Sequence, residues 1–150
     1  MRKDFTIDAY QLYEAKAYGA EVILLIAACL TPAEVKTLAH NAKELGMEVL
    51  LELHDESELA HMCPDVDLVG INNRNLKTFA VDLEHSVRLA EKIGTDFVKV
   101  AESGISDVKN IKYLKDYGFE GFLIGENFMK EENPGKAFEN FVAQLKGTQA

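Results

Sequence analysis

The sequence predicts an α/β protein in which parallel strands alternate with helices. Three observations predict it. Short apolar runs of about five residues recur, each followed by a longer helical pattern. Several of these runs are apolar almost throughout, the mark of strands buried on both faces. Successive runs begin about 20 to 30 residues apart, which leaves room for one crossover helix each time. The 150 residues fit a single domain, 1–150, long enough to bury a core.

The elements follow in order. A partial strand ends at Lys3-Asp4-Phe5, and Asp8 caps a helix that closes at Tyr18-Gly19. The run 22–26 is a strand. Thr31 caps the next helix, Pro32 opens it and Gly46 stops it. A strand over 49–53 precedes a short helix over 56–62, and a strand over 68–72 precedes a helix over 83–93. A strand over 97–101 leads to a helix capped by Ser106 and ended by Gly118. The strand 121–125 and an amphipathic helix over 135–145 finish the chain. Two architectures fit this alternation: a doubly wound sheet, or part of a (β/α)8 barrel.

Charge and composition exclude several functions. A net charge of −9 argues against nucleic acid and anionic membranes as partners, since both require a basic patch. A small anion remains open, because backbone N–H groups and one or two basic side chains capture it locally. The longest apolar run, 22–30, falls well short of the ~18 residues that span a bilayer. The opening Met1-Arg2-Lys3-Asp4 has no secretory-type segment behind it, so a cytoplasmic location is expected. Cys29 and Cys63 lack CxxC spacing and are read as reduced and buried or half-buried, with no metal site. The histidines His40, His54, His61 and His85 are read as surface or satisfied groups. His54 is near a strand end without an evident partner.

Both architectures place function at the C-terminal ends of the strands. Glu52, between Leu51 and Leu53, faces the opposite side from both. In a closed barrel it points inward, where an isolated charge costs several kcal/mol. Lys3, Glu52 and Glu102 would then surround one opening as a general acid and base set, or else form structural ion pairs at the rim. Asn72 ends the third full strand, with Arg74 just beyond, and on its own reads as a turn residue. Gly104 and Gly125 follow the last two strands. They are turn residues or, together, a phosphate site of backbone N–H groups.

The motifs Arg2-Lys3-Asp4-Phe5, Glu48-Val49-Leu50-Leu51-Glu52-Leu53-His54 and Gly70-Ile71-Asn72-Asn73-Arg74-Asn75-Leu76 resemble those of indole-3-glycerol-phosphate synthases. So do Val100-Ala101-Glu102-Ser103-Gly104-Ile105 and Phe122-Leu123-Ile124-Gly125-Glu126, in the same order and spacing. The resemblance covers nearly the whole chain. It implies an incomplete (β/α)8 TIM barrel, with strands equivalent to the third through eighth. It implies closure of an indole ring on a carboxyphenylamino-deoxyribulose phosphate, with loss of CO2 and water and without a cofactor or metal. By resemblance Lys3 is the general acid and Glu52 the acid–base partner for dehydration. Asn72 and Glu102 position substrate and stabilise charge. Ser103 contacts substrate, Arg74 is a polar rim residue, and Phe5, Leu24, Leu76 and Leu123 form an apolar wall. Backbone N–H groups of Gly104, Gly125 and Glu126 cradle phosphate.

The family carries an N-terminal helix and two further βα units, with a Glu and a Lys on its first strand and a Ser at the phosphate site. Their absence here leads to two expectations: a site incomplete in this chain alone, and self-association through open sheet edges. Two other readings stand beside the enzyme. One is a catalytically silent barrel fragment that at most binds phosphate. The other is a different phosphate-binding barrel enzyme, such as a phosphoribosylanthranilate isomerase, against which the Lys3-Asp4-Phe5 and Ala101-Glu102-Ser103-Gly104 motifs count.

Overall fold

A computed structural model describes residues 1–74 and 80–147. Its strands are β1 (Val22–Ile26), β2 (Glu48–Leu53), β3 (Leu68–Asn72), β4 (Val98–Glu102) and β5 (Phe119–Leu123). Its α-helices are α1 (Ala9–Ala17), α2 (Pro32–Glu44), α3 (Leu83–Lys92), α4 (Val108–Asp116), α5 (Glu126–Met129) and α6 (Pro134–Gly147). Two 3-10 turns, Ala27–Cys29 and Glu56–His61, follow β1 and β2.

Local chemistry explains the helix ends. Asp8 and Thr31 each close a capping box, with Gln11 and Glu34 reaching back to the cap. In α2 the residues Val35, Leu38, Ala39 and Ala42 recur at helical spacing and are all buried. Gly46, at φ 68°, takes the left-handed turn that ends this helix. The cap of α4 is Asp107 and not Ser106. Asp107 sits in an extended conformation and accepts the Lys109 N–H at 2.8 Å. The last strand begins and ends two residues earlier than its apolar run suggests. Phe119 already pairs with Lys99, and the register slips between Lys99 and Val100.

The sheet decides between the two architectures. Strand order equals chain order, and every neighbouring pair is parallel. A doubly wound sheet reverses its order at a switch point; this one does not. The large apolar core unites α1 to α4 and α6 with Ile23, Leu25, Val49, Leu51, Leu53, Val69, Ile71 and Ala101, all on one side. On the other side Leu24, Ile26, Leu50 and Val100 form a small cluster of strand residues only. Helices outside and strand side chains inside give an incomplete (β/α) barrel.

The opening strand is reduced to one bridge, Arg2 to Ile23, with the Arg2 N–H donating to the Val22 carbonyl at 3.0 Å. Asp4 then turns the chain aside: its Oδ1 takes the Phe5 N–H at 2.8 Å in place of a ladder bond. Cys63 is half-buried as expected, whereas Cys29, in the turn after β1, is exposed. Among the described residues no helix is long and apolar enough to cross a membrane.

Candidate active site

Registered residues of parallel strands share a face, so the register gives the inner surface as rows. Leu24, Leu50 and Leu68 pair across the lower row. Ile26, Glu52, Gly70, Val100 and Gly121 form the next. Asn72, Glu102 and Leu123 form the row at the strand ends. Polarity therefore rises toward the C-terminal ends of the strands. Two glycines leave the middle row without bulk.

Lys3, Glu52, Asn72 and Glu102 meet there from four separate segments. Lys3 Nζ lies 3.2 Å from Glu102 Oε2 and 3.6 Å from Glu52 Oε2. The carboxylates are deeply buried, Glu52 at 4% exposure and Glu102 at 2%, while the lysine side chain keeps 55% of its surface. Asn72 Nδ2 donates to Glu52 Oε1 at 2.9 Å, and Asn72 Oδ1 accepts the Arg74 N–H at 3.0 Å, which fixes the amide.

The two carboxyls are pushed in opposite directions. Burial opposes ionisation of Glu52, but His54, Asn72 and Lys3 more than offset it and hold its pKa well below the usual carboxylate range. Burial, and then the negative charge of Glu52, push Glu102 upward; Lys3 opposes them without winning. Glu102 Oε1 is buried without a hydrogen-bond partner among the described residues, which also favours the neutral acid. A Cβ on Gly70 would fall 2.0 Å from this oxygen, so the Glu102 carboxyl occupies the gap that Gly70 leaves. Two carboxyls pushed in opposite directions, with a lysine between them, form an arrangement able to give and take protons.

His54, read as a histidine without a partner, stands in the same group. Its Nε2 is 3.3 Å from Glu52 Oε1 and its Nδ1 3.7 Å from Glu58 Oε2, at ion-pair range. Burial works against its charge, yet Glu52 and Glu58 prevail and raise its pKa to about 9. The signal was present in the sequence. His54 is two residues past Glu52 on the same face, and Glu58 lies one helical turn further on.

Beside this cluster is a cavity of about 520 Å³, lined by Lys3, Arg74, Glu102, Ser103, Gly104, Leu123, Gly125, Glu126 and Lys130 among others. Ser103 at φ 64° and Gly104 at φ 68° turn the chain sharply after β4. A side chain at Gly104 would also strike Val81, 2.4 Å from its Cβ position. Asn73 holds this turn: its side chain donates to the Ser103 carbonyl at 2.8 Å, and its N–H to that of Glu102 at 2.8 Å. Arg74 pairs with Glu126 across the mouth.

The expected apolar wall divides. Leu123 lines the cavity. Leu24, at 2% exposure, lies in the small strand cluster and outside the cavity lining. Phe5, 64% exposed, is on the segment that Asp4 turns away from the sheet. Leu76 lies outside the described residues. Among the described residues no group of His, Cys, Asp and Glu is placed to hold a metal ion.

The family model for indole-3-glycerol phosphate synthase matches residues 1–141. An indole-3-glycerol phosphate synthase of Bacteroides thetaiotaomicron is 52% identical over 145 residues, which are 97% of this chain and 56% of that protein. One of Koribacter versatilis is 45% identical, over 95% of this chain and 55% of that protein. The chain thus spans about half the length of these relatives. Among solved structures, KGPDC from Streptococcus mutans matches with a TM-score of 0.69 at 14% identity, over 96% of this chain and 70% of that one. A chain of the Pyrococcus furiosus tryptophan synthase complex matches with a TM-score of 0.67 at 18% identity, over 93% and 58%. At these identities the structural likeness is one of fold.

Proposed function

The chain belongs to the indole-3-glycerol phosphate synthase family, and we propose that its strand-end cluster serves the ring closure for which that family is named. The reaction is a carbon–carbon lyase step. The ring carbon that bears the carboxyl group of 1-(2-carboxyphenylamino)-1-deoxyribulose 5-phosphate attacks the ketone carbon, CO2 leaves from that same ring carbon, and the former ketone oxygen then leaves as water to form the indole.

The observation that supports this reading most strongly is the convergence of Lys3, Glu52, Asn72 and Glu102. Lys3, exposed on one side and flanked by two carboxyls on the other, donates a proton to the ketone oxygen as the carbon–carbon bond forms. Glu52, ionised and fixed by Asn72, takes and returns protons during dehydration. Glu102 and Asn72 hold the polar groups of the sugar chain. Ser103 and Arg74 contact the substrate at the cavity mouth, and Leu123 packs against its aromatic ring. The phosphate sits against backbone N–H groups of Gly104, Gly125 and Glu126, which line the cavity.

A second reading has its own support. The chain spans about half the length of its relatives, and on this second reading it is a silent part that keeps only the phosphate site. On that reading the edges at β1 and β5 would favour pairing with a second copy, which sedimentation would detect as a dimer. Turnover of the substrate, followed by the fluorescence of the indole product, separates the two. Turnover abolished by Lys3→Ala supports ring closure. A folded sample without turnover supports the silent part.

A further inference from the structure

Ring closure as proposed uses Glu52 but gives no part to His54 or Glu58. The three side chains form one line. Glu52 and His54 project from the same face of β2 and its extension, two residues apart. Glu58 stands in the 3-10 turn that follows, and its Oε2 accepts the His54 N–H at 2.6 Å while facing the ring Nδ1. From α3, His85 Nε2 lies 2.7 Å from the His54 carbonyl oxygen, so the backbone at His54 is gripped from two sides. The ring turns its Nε2 to Glu52 Oε1.

The two oxygens of Glu52 therefore have different surroundings. Oε1 faces Asn72 and His54, both part of the scaffold. Oε2 faces Lys3 and, through it, Glu102. We infer that His54, itself held by Glu58, is a positioning residue that locks Glu52 Oε1 to the scaffold and leaves Oε2 as the working oxygen. The inference rests on the reading of Glu52 as an acid–base group, and it assigns His54 no contact with substrate.

Among the described residues, the charged and titratable groups around the ring come from β2, the turn after it, α3 and the inner face of the sheet. Glu52 and Glu58 touch it, and Asp55 adjoins it in sequence. Lys3 and Glu102 stand beyond Glu52, and His85 meets only the backbone. A cationic His54 between two carboxylates leaves the trio with one net negative charge; without that cation the two carboxylates would face each other uncompensated. Its burial is thereby tolerated.

The test is carboxyl and imidazole NMR on the whole chain, titrated with pH, for the parent, His54→Gln and Glu58→Gln. Removing the cation should raise the Glu52 midpoint by about one pH unit or more, the usual effect of losing an opposite charge at this range. Glu58→Gln should lower the His54 midpoint and raise that of Glu52 by less. A Glu52 midpoint that stays put in folded His54→Gln overturns the inference. If that variant does not fold, an unmoved His54 midpoint in Glu58→Gln overturns it equally. In turnover assays His54→Gln should shift the acid limb of kcat/KM upward by the same amount with KM near the parent's, a change that a purely structural role would not cause. Shifted midpoints in a chain without turnover would remove the ring-closure reading and leave the positioning role intact.

Discussion

On the helix-facing side of the sheet, Ile23, Leu25, Val49, Leu51, Leu53, Val69 and Ile71 are fully covered by α1 to α4. On the inner side the same strands carry Leu24, Ile26, Leu50 and Val100 and then, toward their ends, Glu52, Asn72 and Glu102. One pleat supplies both surfaces, since alternate residues point to opposite faces. The first surface is apolar along β1 to β3, where α1 to α3 close it. The second is apolar only where strand side chains meet one another, and it tolerates buried charge where Lys3, His54 and Asn72 compensate it. The outer face holds the fold together, and the inner face accepts an energetic cost so that ionisable groups can sit side by side.

The contrast can be broken most directly on the outer face. Leu51→Ala removes a fully buried side chain and should cost about 2–5 kcal/mol in urea unfolding, while the Glu52 titration next door stays where it was. A loss under about 1 kcal/mol would mean that the outer face is not the stabilising one.

On the inner face the largest effect should come from adding atoms. Gly70→Ala sets a methyl 2.0 Å from Glu102 Oε1 and 3.3 Å from Leu50 Cδ1. The Glu102 carboxyl must swing out of its gap among packed neighbours, at a cost of about 1–3 kcal/mol. Its titration midpoint should move as it leaves the buried site and the charge of Glu52. Unfolding curves and carboxyl NMR read the two effects separately.

The smallest effect is one of pH. Glu102 has its pKa raised from 4.5 to about 7 by burial and by Glu52. The folded state therefore binds its proton more tightly than the unfolded state, and this contribution to stability is complete below pH 4.5 and lost as pH rises through about 7. Glu102→Gln keeps the shape of the neutral acid and should flatten the fall in melting temperature across that window, so that the variant is the more stable at pH 8. Parallel melting curves for parent and variant would show the sign to be wrong.

How much of this was legible in the sequence depends on the range of the interaction. β1 and β3 have the limits of their apolar runs, and α2 those of its capping box and terminal glycine, because neighbours in the chain decide them. The cap of α4 went to Asp107 because two capping residues stand side by side, and only the backbone angles choose between them. Strand order, which excludes a doubly wound sheet, is non-local and had no local signature. Lys3 and Glu102, 99 positions apart, could be joined only by taking the sheet as a closed barrel, a choice that the family resemblance made. His54 was the avoidable miss: Glu52, His54 and Glu58 are close in sequence, and strand alternation followed by one turn brings them together. Phe5 lies off the sheet because the Asp4 carboxylate accepts the Phe5 N–H, a choice that hydrophobic pattern does not register.

The gap at Gly70 also bears on heredity. A glycine on one strand leaves the volume that a glutamate on another fills, so no side chain can be added at 70 while the Glu102 carboxyl keeps its place. A lineage acquiring alanine at position 70 would displace the Glu102 carboxyl while its helices still packed, and would become a well-folded protein with a disabled site. Descendants that keep the acid at 102 should therefore keep glycine at 70, and the two positions should drift together once selection on the chemistry is released.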